Sequence, residues 1–182
     1  LITFSAGSSI FNAKNKEQWG YNKNLDQIVG IPNHRFLTQH SDSLEKDVLQ
    51  PGKSACFLSL KIKNIPELYS SFGVKYGDLF QRGIASTIST TLPSPKYIFK
   101  FSETIYIVIL VDQGWSDVQP HKVKLETVLN SAPLFVEGKP MKVCAELGMS
   151  CFPDNGKTIS ELIGASLYKN TSKASSKSKM IS

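Results

Sequence analysis

The sequence predicts an α+β sandwich in which helices pack on a mixed sheet, and three observations carry that prediction. Strand-like and helix-like periodicities follow one another as strand, helix, strand, strand, helix, strand. The stretch YIFKFSETIYIVILV (97–111) has two runs of β-branched, aromatic and aliphatic residues around the polar triplet Ser102-Glu103-Thr104, the pattern of a hairpin. With 41% hydrophobic residues in 182, the chain can fill one ordinary core, and it shows neither an internal repeat nor a second domain.

Residues 1–24 mix apolar and polar residues with Gly, Ser and Asn and read as a linker from an upstream segment. The segment 28–49 reads as a Gly-Pro turn with Asn33 as N-cap, then an amphipathic helix whose apolar face holds Phe36, Leu37, Leu44 and Val48. ACFLSLKI (55–62) alternates as a half-buried strand does. A long helix with an early irregularity follows, from about Pro66 to Leu92, with Leu68, Leu79, Phe80, Ile84 and Ile88 as core candidates. The hairpin spans 96–112, and its turn has no Gly, Asn or Asp, although short hairpin turns use those residues to reach positive φ. A helix at 116–131, a short strand at 133–136, the turn EGKP, a strand at 141–152 and a last helix at 157–169 complete the chain.

The net charge of +6 invites a nucleic-acid reading, but four of the lysines lie in KNTSKASSKSK (169–179), which leaves +2 for the rest. A Lys/Ser segment is a solvated linker, and no basic helix or aromatic-basic motif supports nucleic-acid binding. The three cysteines, Cys56, Cys144 and Cys151, are odd in number and sit in apolar, strand-like contexts; they are expected to be buried, reduced thiols. His34, His40 and His121 fit no zinc spacing. No apolar run is long enough to span a bilayer, and no signal peptide is evident. The chain begins at Leu1 and is read as a piece of a longer protein.

Four stretches narrow the function. DQIVGIPNHRF (26–36) resembles the D-x-L-T-G-L-P-N-R-R-x-F motif of the GGDEF domains, the diguanylate cyclase family. FGVKYGDLF (72–80) resembles that family's F-G-H-x-x-G-D-x-x-L. ELGMSCFPDNG (146–156) and SELIGASLYKN (160–170) resemble its S-I-G-x-A-x-x-P-x-D-G and L-L-x-x-A-D-x-A-L-Y-x-A. Order and spacing agree from about residue 25 to 170. The resemblance implies a GGDEF, nucleotide-cyclase-like sandwich with a central mixed five-stranded sheet flanked by helices. It also implies that residues 25–170 are the domain and 171–182 a linker to a downstream domain.

In that register the family's R-x-G-G-D/E-E-F falls on Lys100 to Tyr106, so the signature turn reads Ser102, Glu103, Thr104, Ile105, Tyr106. The family's glycines let the backbone approach the nucleotide; here they are gone. Its metal-holding carboxylates map onto Lys61, Lys63 and Thr104. A protonated Lys has no lone pair to give Mg²⁺ and repels it, so the Mg²⁺ site is expected to be lost, with no cofactor and no catalytic residue. The guanine-contacting pair maps onto Tyr69, in place of Asn, and Asp78, which is retained. The family's phosphate-contacting Lys is Pro66, and its inhibitory R-x-x-D falls on Pro93-Ser94-Pro95-Lys96.

Each residue also has a plain structural reading. Lys61 and Lys63 share a strand face and either hold a phosphate or, as we favour, are solvated or paired with Glu67 or Glu103. Asp78 either reads a guanine edge or is an inherited helix carboxylate. Glu103 is expected to be a solvated turn residue, Tyr69 and Tyr106 packing residues, and Trp115 an anchor at a helix start.

The resemblance thus implies a catalytically inactive regulatory domain of a bacterial cyclic di-GMP signalling protein. The parent is expected to carry a downstream EAL phosphodiesterase domain and to hold this domain in the cytoplasm, anchored through the inner membrane. Candidate partners are GTP at Asp78, Lys61, Lys63 and Tyr69, the adjacent EAL-like domain, and a second copy in a homodimer. The alternative is a structural dimerisation or interaction module that binds no nucleotide.

Overall fold

The structure, a computed structural model, describes residues 21–94 and 96–178. Most of the expected upstream linker (1–20), Pro95, and residues 179–182 therefore lie outside the described residues. The elements run α1 (Tyr21–Asn24), α2 (His34–Gln39), α3 (Ser41–Val48), β1 (Ala55–Ile62), α4 (Ile65–Phe72), α5 (Val74–Thr91) and β2 (Lys96–Lys100). They continue with β3 (Ile105–Val111), α6 (Trp115–Ser131), β4 (Leu134–Val136), β5 (Lys139–Met141), β6 (Ala145–Phe152) and α7 (Ile159–Ser178).

The main sheet has the order β2-β3-β1-β6, and all its pairs are antiparallel. The mixed five-stranded sheet of the sequence analysis is thus corrected to four antiparallel strands, with β4 and β5 forming a separate hairpin. The physical reason lies at two places. Beside β2, one parallel bridge, Asn33 to Lys100, stands alone. Pro32 has no N–H to extend it, and Asn33 already caps α2, accepting from the Phe36 N–H at 3.1 Å. Further on, residues 141–152 do not form one strand, because Asn64 seizes the loop between β5 and β6. Its amide donates to Lys142 O at 2.8 Å, and its carbonyl accepts from Cys144 N at 3.1 Å.

Strand alternation sends two apolar sets to opposite faces. Cys56, Leu58 and Leu60 of β1, with Val108, Leu110, Leu147 and Met149, pack against α4, α5 and α6. Phe57, Phe99, Ile107 and Ile109 pack against Phe36 and Leu37 of α2, Leu44 and Val48 of α3, and Leu162 of α7. The four residues expected on one helix are all buried, but on two short helices that meet at His40. Likewise the long helix of the sequence is α4 and α5, joined at Gly73 with φ +83°, a backbone that side chains resist.

The outer edge of β6 is held by two asparagines. Asn130 of α6 donates to Ala145 O at 3.0 Å and accepts from Ala145 N at 2.9 Å. Asn155 accepts from Cys151 N through its side chain at 2.8 Å and donates its own N–H to Cys151 O at 2.9 Å.

The cysteine reading is overturned. Cys56 and Cys151 stand directly opposite each other on β1 and β6, 4.1 Å apart at Cα, and form a disulfide; Cys144 is free. Their separation of 95 residues hides the pair from any spacing rule, and the odd count reflects one pair and one leftover thiol. Finally, α7 continues to Ser178, through residues read as linker. No described helix is long and apolar enough to cross a membrane.

Candidate functional site

The loop ahead of α2 organises one side of the site. Asp26 Oδ1 accepts from Ile28 N (3.0 Å) and Val29 N (2.8 Å), and Gly30 closes the turn at φ +75°. Arg82 of α5 ties this loop down through Ile28 O at 2.8 Å. The next residues run beside β2, where Lys100 N–H donates to Pro32 O at 2.9 Å.

On the face covered by α4 and α5, five side chains form one polar chain. Lys100 Nζ, buried at 5% exposure, donates to Gln81 Oε1 and to the Tyr106 hydroxyl, and lies over the Tyr106 ring, 4.5 Å from its centroid. Gln81 Nε2 donates to the Tyr69 hydroxyl at 2.8 Å. That hydroxyl in turn donates to Asp78 Oδ1 at 2.6 Å. From Lys100 through Gln81 and Tyr69 to Asp78 every donor points the same way, from a buried cation toward a carboxylate, so each bond strengthens the next. The Tyr106 hydroxyl branches off and donates to Gln81 O at 3.3 Å.

Burial pushes the Lys100 ammonium down to about 8, while the Asp26 and Glu103 carboxylates pull it back up. Burial, followed by the hydrogen bond to Asp78, raises Tyr69 to about 12; Tyr106 rises further, again through burial. Both phenols are therefore neutral donors at physiological pH. The Tyr69 ring rests on Gly77, where a Cβ would lie 2.7 Å from three ring atoms. Gly77 is thus a platform for Tyr69.

The signature turn lies at the far end of β2 and β3. Phe101 N–H and Ser102 N–H both donate to Ile105 O, at 2.9 and 3.2 Å. Among described residues other than glycine, positive φ occurs at Asp112 and Glu137, so Ser102, Glu103 and Thr104 turn the chain without left-handed backbone. This is how the turn does without glycine: three residues are enough to close it in ordinary conformations. Glu103 is exposed, and Thr104 O accepts from Ile62 N at 2.8 Å.

The lysines do not join Asp78. Lys61, exposed near the end of β1, alternates with Leu60 and Ile62 and so stands on the opposite face of the sheet from α4 and α5. Lys63 lies just past the strand and pairs with Glu146, not with Glu67 or Glu103. Tyr69 and Asp78 are brought together; Lys61, Lys63 and Thr104 are elsewhere. Mg²⁺ would find two ammonium groups and a hydroxyl where the family resemblance places its ligands, and that donor set does not fit the ion. Among the described residues, no three His, Cys, Asp or Glu side chains converge as a metal site would need.

The sequence reading left Gln81 out and used Lys100 only to fix register. A helical signal existed for Gln81, since Asp78 and Gln81 are three apart and share a helix face. Nothing local to Lys100 marks it as buried.

The profile of the family described as diguanylate cyclase, GGDEF domain, matches residues 23–176. This chain belongs to the GGDEF domain family. Such domains are parts of cyclic di-GMP signalling proteins, and most are diguanylate cyclases. The response regulator PleD of Caulobacter vibrioides is 24% identical over 140 residues, which is 76% of this chain and 31% of PleD. The chain therefore spans about a third of the length of that curated relative.

Solved GGDEF domains share the fold. The GGDEF domain of FimX from Pseudomonas aeruginosa superposes with a TM-score of 0.71 at 11% identity, covering 82% of this chain and 93% of that one. The coiled coil and GGDEF domain of DgcB from Caulobacter crescentus, solved with c-di-GMP, gives 0.71 at 14% identity over 90% and 86%. Diguanylate cyclase SiaD from Pseudomonas aeruginosa, solved with its activator SiaC, gives 0.72 at 16% identity over 90% and 63%.

Proposed function

We propose that this GGDEF domain is catalytically inactive and serves as a regulatory interaction module within a cyclic di-GMP signalling protein. One observation carries the reading. Asp78, the retained member of the guanine-contacting pair, already accepts from the Tyr69 hydroxyl, and the Tyr69 ring fills the space above Gly77. A purine edge arriving there must evict a hydrogen-bonded phenol. Meanwhile the positions that would hold a divalent cation carry Lys61, Lys63 and Thr104, so the triphosphate has no metal to neutralise it. This favours the module without a nucleotide over a GTP sensor.

On this reading the parent carries its activity elsewhere, in a downstream EAL phosphodiesterase domain, and this domain sets that neighbour's arrangement or pairs with a second copy. Incubating the chain with GTP and Mg²⁺ should yield no cyclic di-GMP. Calorimetric titration of GTP should give no heat with Mg²⁺ or with EDTA, and the melting temperature should stay unmoved. Product formation overturns the inactivity; micromolar binding in EDTA restores the sensor. Deleting residues 25–170 from the longer protein should change its cyclic di-GMP hydrolysis, and unchanged hydrolysis argues against a regulatory role.

A further inference from the structure

A second feature lies at the opposite end of β1 and β3 from the signature turn, and it rests on none of the nucleotide arguments. A cleft of about 240 Å³ opens there between the start of β1, the start of α6 and the end of β6. Ser54, Gly114, Trp115, Cys151, Asp154 and Asn155 line it. Cys151 belongs to the disulfide with Cys56, and its side chain stands on the face covered by α6, whose first residue, Trp115, also lines the cleft. Cys56, on the central strand, is fully buried and does not line the cleft; Cys151, on the edge strand, is 4% exposed and does. The two cysteines are therefore unequal: of the pair, Cys151 is the one that borders the cleft.

We propose that Cys151 is a redox-addressable site at which a low-molecular-weight thiol, entering between Trp115 and Asn155, exchanges with the Cys56–Cys151 disulfide. The attacking thiolate forms a bond to Cys151 Sγ. The bond between the protein sulfurs breaks, and Cys56 leaves as a thiolate that takes up a proton. A second thiol then attacks the mixed disulfide, releasing Cys151 as a thiol and carrying away the small disulfide. Two electrons pass from two small thiols to the protein pair. Attack at Cys151 rather than Cys56 follows from access, which governs exchange alongside thiolate character. The consequence is local to the end of β6, where Asn155 grips the Cys151 backbone and the chain turns into α7. Reduction cuts the covalent tie between that turn and the central strand.

The test uses the full chain in a Cys144→Ser background, so that Cys56 and Cys151 alone can react. The untreated protein should show no titratable thiol. Brief exposure to reduced glutathione, followed by alkylation and peptide mass mapping, should place the glutathione adduct on Cys151. In single-thiol variants, Cys151 left by Cys56→Ser should react with glutathione disulfide about tenfold or more faster than Cys56 left by Cys151→Ser. Trp115→Ala, which widens the cleft, should speed the Cys151 reaction at unchanged unfolding free energy. Two free thiols in the untreated protein, adducts spread equally over both sulfurs, or rates that follow global stability and ignore Trp115 would each overturn the proposal.

Discussion

Tyr69 spends its hydroxyl twice, accepting from Gln81 and donating to Asp78, and so closes a polar chain that begins at a buried lysine. Tyr69→Phe keeps the ring on Gly77 but strands the Gln81 amide and the Asp78 carboxylate. It should cost about 1–3 kcal/mol in denaturant unfolding, because the buried Gln81 amide loses its acceptor and the half-buried Asp78 carboxylate its donor. Lys100 makes stability depend on alkaline pH. Its folded-state value, near 8, lies below the ordinary 10.5, so between those values the unfolded chain binds the extra proton. Stability therefore rises with pH from about 8, while below 8 both states are protonated and the burial penalty is fully present. Tyr69 has the opposite sign. Its folded value, near 12, exceeds 10, so stability falls again above about 10. Urea unfolding across pH 7.5–10 should show the rise, and Lys100→Met should flatten it. A rise that persists in Lys100→Met would assign it to another group.

At the scale of elements, the joint between α4 and α5 decides where the polar chain sits, because Tyr69 lies about one turn before the joint and Asp78 about one turn after it. Gly73 makes that joint at φ +83° with open space around a would-be Cβ, so strain rather than collision opposes a side chain. Gly73→Ala should therefore cost about 1–2 kcal/mol, measured by thermal or denaturant unfolding. A cost near zero would mean that the joint relaxes out of the left-handed region. Much at this scale was legible in the sequence. Phe36, Leu37, Leu44 and Val48 showed their helical spacing, and Asn33 announced its cap. The breaks were harder to read. His40 has no helix-stopping character, and the break before β6 comes from Asn64, 78 residues from the carbonyl it holds.

For the whole molecule, the succession of helices and strands along the chain followed from the alternation of periodicities, while the order of strands in the sheet, their number and the cysteine state did not. These depend on register between distant segments, which only the assembled sheet fixes. The Cys56–Cys151 pair and the separation of Lys61 from Asp78 by the thickness of the sheet are two results of the same register. Four motifs pointed to the family, and two of them, at 26–36 and 72–80, pair a turn glycine with a helix start that the fold requires. The site itself was half legible. Tyr69 and Asp78 could be placed from the family pattern, but their bond to each other could not, since it needs the bend at Gly73 and the empty side of Gly77.

The asparagines that hold the rim of β6 have a consequence for behaviour in crowded solution. A terminal strand offers its outward amides as a template on which another chain can add. Asn130 and Asn155 have already answered those amides at both ends, at Ala145 and at Cys151, with side-chain or turn groups that mimic a neighbouring strand. The rim is sealed by imitation rather than by charge. Removing both seals, as Asn130→Ala with Asn155→Ala, should leave a folded chain that self-associates at lower concentration. Light scattering across a concentration series would detect it, and a double variant as monodisperse as the parent would show that the helices alone protect this edge.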